Sequence, residues 1–213
     1  MKYIFVAGAP GSKWSSVIKN IYYSADIDRS DFTHARTYYH DASGHLDLMH
    51  LGSYFDPGME FGDWFNCINE YSQEECEQEF DRPFSGRGIR IIRSHVFAHH
   101  IDFLRRNWPD CPIILVHRAD DACLGWWVRC GHFDITYPDY SAYYKNLRVM
   151  AERIDRQNGD ISMAWRNLPG MEPANSHELC DLLGIACPTD TSYKQIYEYH
   201  DVSVKVLGAP DAK

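Results

Sequence analysis

The chain has 213 residues, 45% of them hydrophobic and 24% charged, which suits one sizeable core and is short for two full domains. Lysine plus arginine number 21 against 30 aspartates plus glutamates, and the net charge of −9 excludes a general basic footprint for nucleic acid. No stretch approaches the ~20 apolar residues of a membrane span, and the short run after Met1 lacks the longer apolar region of a signal peptide, so a cytoplasmic protein without a membrane partner is expected. Seven cysteines with no C-x-x-C pair argue against a disulfide framework and against a zinc finger.

Along the chain, Tyr3-Ile4-Phe5-Val6-Ala7, closed by Gly8, reads as a buried strand. A turn of small residues follows. Val17, Ile18, Ile21 and Tyr22 then recur at helical spacing, so a helix begins near Trp14. Residues 25–88 are rich in His, Tyr, Gly and Asp with weak periodicity; short elements and long loops are expected, with one helix over 70–80. Residues 88–93 (GIRIIR) read as a strand, 96–107 as a helix, 111–117 (CPIILVH) as the clearest strand and 120–130 as a helix. Over 143–156, Tyr143, Leu147, Met150 and Ile154 share one helical face, which predicts Arg148, Glu152, Arg153 and Arg156 in water. Asn175 with Glu178 makes a capping-box-like start, and Gly184 a stop, for a helix over 176–183; another is expected over 191–200.

Strand–turn–helix thus recurs at 3–24, 88–107 and 112–130. The alternation predicts a single α/β domain over 1–213, a three-layer α/β/α arrangement with a mainly parallel central sheet, residues 25–88 forming an irregular insertion. Ligands of such sheets bind beyond the carboxyl ends of the strands, so the residues following each strand are where chemistry is to be sought.

After the first strand stands Gly8-Ala9-Pro10-Gly11-Ser12-Lys13-Trp14-Ser15-Ser16. A small-residue loop opening a helix offers backbone N–H groups to a phosphate, and Lys13 and the Ser12, Ser15 and Ser16 hydroxyls add donors. Set against the G-x-x-x-x-G-K-[ST] pattern, Gly8 and Ser15 fit, while Lys13 takes the place of the second Gly and Trp14 that of the Lys. A ligand-free turn is the plainer reading of this loop alone. After the second strand comes Arg93-Ser94-His95, where a lone His is either a structural group or a base. After the third comes His117-Arg118-Ala119-Asp120-Asp121, where Arg118 can fork onto a phosphate or pair with an acid.

Taken together these three segments resemble the sulfotransferase family that uses 3′-phosphoadenosine 5′-phosphosulfate. The family's loop of the form P-K-S-G-T-T-W is similar to Pro10-Gly11-Ser12-Lys13-Trp14-Ser15-Ser16; its strand ending K-T-H is similar to Ile92-Arg93-Ser94-His95; its R-N-P-x-D segment is similar to Arg118-Ala119-Asp120-Asp121. The resemblance covers roughly residues 1–25 and 88–130 and implies a P-loop NTPase-like fold. It further implies that His95 is the general base, that Lys13 stabilises the leaving phosphate, and that Gly11, Ser12, Lys13, Trp14, Ser15, Ser16 and Arg118 hold the donor. Trp14 would stack on adenine or pack in the core. The family's loop Lys or Arg aligns with Gly11, so Lys13 would reach from two residues further on, and an R-K-G segment is missing near the C-terminus.

The acceptor, a small molecule or glycan, would meet the aromatic and acidic residues 51–65, which equally suit a packed surface loop. No metal is expected: His95, His99 and His100 lie close in sequence, but no H-E-x-x-H pattern accompanies them. Two other readings stay open, a phosphotransferase on the same architecture and a binding protein that keeps the fold without catalysis. The first is opposed by Trp14 in the Lys position and by the lack of an Asp directly after either strong strand to hold Mg²⁺.

Overall fold

The computed structural model describes residues 1–32, 52–56, 63–129, 146–189 and 201–208. Four strands, β1 (Tyr3–Gly8), β2 (Arg90–Arg93), β3 (Ile113–Arg118) and β4 (Val202–Leu207), form one sheet in the order β2-β1-β3-β4. β1 is central and pairs in parallel with both neighbours. All six of its residues are buried, which is why it reads as an uninterrupted apolar run rather than an alternation. β4 runs antiparallel to β3, from Ile113 opposite Leu207 to Arg118 opposite Val202.

The helices are α1 (Trp14–Tyr22), α2 (Gln73–Asp81), α3 (Ile101–Asn107), α4 (Asp120–Arg129), α5 (Leu147–Asn167) and α6 (Ser176–Leu183), with 3-10 segments at Asp63–Glu70 and His95–His99. Successive side chains of β1 point to opposite faces of the sheet. Ile4 and Val6 pack with Val17, Ile18 and Ile21 of α1, Trp127 of α4 and Leu179 of α6. Tyr3, Phe5 and Ala7 pack with Phe80 of α2 and Leu104 of α3. α5 serves both faces, giving Met150 and Ile154 to the first cluster and Ile161 to the second. The α/β expectation therefore holds, with helices over both faces of a sheet that is mixed, not parallel throughout.

Several local expectations need correction. β4 was unanticipated, and its Lys205 is buried, the ammonium donating to the Trp165 carbonyl at 2.6 Å. The helix expected over 70–80 starts at Gln73, because Ser72 and Glu75 cap each other's backbone N–H groups. The helix expected over 96–107 is broken at His100 into the 3-10 segment and α3. α5 continues to Asn167, and Arg153, expected in water, is 6% exposed and bound to Asp56. α6 begins and ends as expected, with the Asn175 side chain accepting from the Glu178 N–H and Gly184 left-handed at its end. Tyr143 to Lys145 and the helix expected over 191–200 lie outside the described residues. Cys76, Cys111, Cys123 and Cys180 are buried free thiols. Among the described residues, no helix is long and apolar enough to cross a membrane.

Candidate functional site

The turn between β1 and α1 has an unusual backbone. Gly11 is left-handed at φ 80° and Lys13 at φ 62°, while Ser12 between them has negative φ and Trp14 opens the helix. Alternating hand along consecutive residues is the backbone arrangement that can turn N–H groups toward an anion, and here the Ser12 N–H is taken by the Ala9 carbonyl at 3.0 Å. Lys13 keeps a conformation that costs a non-glycine residue about 1 kcal/mol or more. It is also the N-cap of α1, where its own side chain makes no capping hydrogen bond and no acid sits in the first turn. The positive end of the α1 dipole is therefore not neutralised from within its own first turn.

Two glycines shape this loop. A Cβ on Gly8 would stand 2.7 Å from the Ser12 Oγ, so glycine is what lets that hydroxyl turn inward. Ser12 is fully buried, and among the described residues its Oγ has no hydrogen-bond partner. A Cβ on Gly11 would stand 2.2 Å from the Cys123 carbonyl oxygen, because α4 packs directly on the loop. Gly11→Ala combines that clash with a disfavoured φ and is expected to destabilise the fold by about 2–4 kcal/mol, read from the denaturant midpoint. A loss below ~1 kcal/mol would show that the loop relaxes freely away from α4.

The candidate donor-binding side chains do not all face one ligand. Trp14 is 3% exposed; its ring stacks on the His95 imidazole at 4.0 Å and 13°, with Tyr54 edge-on to both. That indole face is committed to the core and not open to adenine. Ser15 and Ser16 are buried, and the Ser16 N–H donates to the Lys13 carbonyl at 2.9 Å. The Lys13 ammonium lies 4.6 Å over the ring of Trp126 on α4, a cation–π position.

His95 follows β2 as β1's glycine loop follows β1, and the parallel register brings them together. Its Nδ1 contacts the Gly8 carbonyl oxygen. A carbonyl can only accept, so Nδ1 carries the proton and Nε2 holds the lone pair. Burial pushes the imidazole pKa down to about 4; the Asp56 carboxylate opposes the shift, and the Arg153 guanidinium adds to it. His95 is thus a neutral imidazole at pH 7.

This has a consequence for stability. The unfolded imidazole takes a proton near pH 6.5 and the folded one only near 4. Stability from His95 is complete above ~6.5 and falls as the pH drops toward 4, by about 3 kcal/mol in all. Urea unfolding at pH 7 and pH 4.5 is expected to show this loss in the wild type and most of it missing in His95→Asn. His100 and His117, whose burial also lowers them, contribute alike to both proteins. Equal pH dependence in the two would remove His95 as the buried titrating group.

Beneath the imidazole lies a buried acid. Asp56 is fully buried; its Oδ1 accepts from the Ser94 hydroxyl at 2.6 Å, the His95 N–H at 2.7 Å and the Val96 N–H at 3.4 Å. Its Oδ2 accepts from Arg153 at 2.7 Å. Ser94 also accepts from the Val96 N–H at 3.1 Å. These acceptors satisfy the opening N–H groups of the 3-10 segment and set the backbone from which His95 projects.

Arg118 ends β3 beside the same loop. Its Nε and Nη2 both donate to Asp201 Oδ2, at 2.7 and 2.5 Å, and its Nη1 donates to the Gly11 carbonyl at 2.9 Å. Asn158 of α5 donates to the Arg118 carbonyl at 2.8 Å and to Asp120 at 2.6 Å. The three strand-end segments therefore do meet: His95 touches Gly8, and Arg118 touches Gly11. Sequence reasoning missed Asp56, Tyr54, Arg153 and Asp201. Asp56 and Tyr54 fall in the aromatic and acidic stretch noted above, while nothing local marks Arg153 or Asp201.

Elsewhere, the His99 Nδ1 pairs with Asp160 at 2.6 Å beside a cavity of about 410 Å³ lined also by His100, Arg106 and Met163. Among the described residues, no group of three or more His, Cys, Asp or Glu converges as metal ligands. Comparison of the chain with protein-family models, with curated proteins and with solved structures finds no match.

Proposed function

We propose that this protein is a sulfotransferase, moving a sulfuryl group from 3′-phosphoadenosine 5′-phosphosulfate to a hydroxyl or amine of a small-molecule or glycan acceptor. The observation that carries the reading is one juxtaposition. A loop of alternating hand, with a buried Ser12 hydroxyl unpartnered among the described residues, adjoins a neutral imidazole whose Nδ1 is held by the loop's first carbonyl. The parallel β2-β1-β3 core with its strand–loop–helix unit supports a P-loop NTPase-like fold for the same reason.

In this reaction the acceptor oxygen or nitrogen bonds to sulfur as the bond from sulfur to the bridging phosphate oxygen breaks. His95 Nε2 takes the acceptor's proton, and adenosine 3′,5′-bisphosphate leaves. The amino end of α1 and the Lys13 ammonium, moved off the Trp126 ring, stabilise the charge on the departing phosphate. One such preorganised donor is worth about 3 kcal/mol of barrier. Trp14 supports the base by stacking on it.

Transfer from labelled donor across a panel of hydroxyl and amine acceptors tests the reading, together with a thermal shift on adenosine 3′,5′-bisphosphate. Ligand at ~100 times its dissociation constant stabilises the fold by ~2.7 kcal/mol. No shift at millimolar ligand and no transfer would overturn the proposal, and Mg²⁺-dependent binding of ATP in their place would point to a phosphotransferase. One observation favours a second reading, a nucleotide-binding protein without catalysis: Asp201 already holds Arg118. That reading expects the shift without any transfer.

A further inference from the structure

We propose that Asp201 is a specificity-determining residue of the anion site: its carboxylate occupies the forked edge of Arg118, and a second phosphate is bound there only by displacing it. The inference rests on reading residues 8–16 as the anion loop, to which the same guanidinium is tied through Gly11.

The Nε–Nη2 edge of an arginine presents two parallel N–H donors, a geometry matched by two oxygens of a carboxylate or phosphate. In this protein both donors converge on a single oxygen, Oδ2 of Asp201. The fork is occupied but not matched, and a phosphate offering one oxygen to each donor fits it better. The third donor, Nη1, is engaged by the Gly11 carbonyl. That bond ties the guanidinium to the loop.

The exposures of the two partners differ sharply. The Arg118 side chain is 8% exposed and that of Asp201 46%. The carboxylate thus stands on the solvent side of the cation, and on release it returns to water. The guanidinium is the group that must stay paired, because a buried uncompensated charge is costly. An arriving phosphate meets that requirement as Asp201 does. Asp201 directly precedes β4, and Val202 is the Cα partner of Arg118. A side-chain rotation at the strand end is enough to vacate the fork, with the β3–β4 ladder kept. While Asp201 remains, its charge opposes a second phosphate, and loop-bound nucleotides with and without that phosphate bind alike.

Calorimetric titration of wild type and Asp201→Asn with adenosine 3′,5′-bisphosphate and with adenosine 5′-monophosphate tests this. The variant is expected to bind the bisphosphate at least tenfold tighter, about 1.4 kcal/mol, with the monophosphate changed by less than about threefold. Asp201→Glu, which keeps the charge, is expected to bind both as the wild type does. If Asp201→Asn does not fold, the wild type with labelled Asp201 decides. Its carboxyl carbon resonance is expected to shift on saturation with bisphosphate and not with monophosphate, and an unmoved resonance overturns the proposal. Equal or weaker binding of both ligands by Asp201→Asn makes Asp201 a structural prop and overturns it too, leaving the loop reading intact. Binding of neither ligand to either protein removes the anion loop itself, and this inference with it.

Discussion

His95→Asn is expected to lower sulfuryl transfer by ~10²–10⁴-fold while leaving the affinity for adenosine 3′,5′-bisphosphate within about twofold. The reason for asparagine lies in the imidazole's two nitrogens. Nδ1 is spent on the Gly8 carbonyl, and an asparagine amide supplies a donor from nearly the same place. Nε2 has no counterpart in asparagine, so the variant keeps the tie to the loop and loses only the base. His95→Ala removes both, together with the ring stacked on Trp14, and is expected to be less stable as well as inactive. The wild-type imidazole is neutral down to about pH 4, so its titration does not limit the rate at pH 5 to 8. Transfer kinetics at saturating donor decide the matter: unchanged turnover in His95→Asn would leave His95 as a clamp on the loop and nothing more.

The second large effect concerns Asp56. Asp56→Ala is expected to cost about 3–5 kcal/mol of folding stability, seen as a lower denaturant midpoint at unchanged slope. Asp56 is fully buried, and it accepts from Ser94, His95, Val96 and Arg153. Alanine takes these acceptors away at once and deprives the 7%-exposed Arg153 side chain of the Asp56 carboxylate. Breaking one side of a buried ion pair is costlier than replacing both. Arg153→Met combined with Asp56→Ala is therefore expected to recover part of the loss, and a double-mutant cycle over the pair reads the coupling. Strict additivity, or a loss in Asp56→Ala below ~1 kcal/mol, would show that solvent reaches this pair and that His95 is positioned by other contacts.

Much of the scaffold was legible in the sequence because its signals are local. β1 and β3 are apolar runs of strand length; α1 shows helical spacing; α6 carries its own cap at Asn175 and stop at Gly184. The alternation of these elements was enough to expect helices over a sheet with its chemistry at the carboxyl ends. β4 escaped because Ser203 and Lys205 interrupt its apolar residues and its buried positions include that lysine. Lys205 counts as polar in any pattern, yet its ammonium finds the Trp165 carbonyl. The break at His100 escaped because acceptors for the 3-10 segment come from Asp56, 39 residues before His95. Arg153 was placed in water because amphipathic spacing ranks a charged side chain as outward, and only the buried carboxylate of Asp56 draws it in.

Residue order alone determined which side chains stand at the strand ends: the glycine loop and Arg118, each placed by a contiguous hydrophobic run, and His95, placed by the short strand around Ile91-Ile92. Tertiary structure alone decided what each of them faces. Trp14 faces His95 and not solvent, His95 gives its Nδ1 proton to Gly8, and Arg118 is shared between Gly11 and Asp201. The physical reason is the cost of burying polar groups. A buried charge or N–H must find a partner wherever the fold brings one, and that partner is chosen by distance in space, which separation along the chain does not encode.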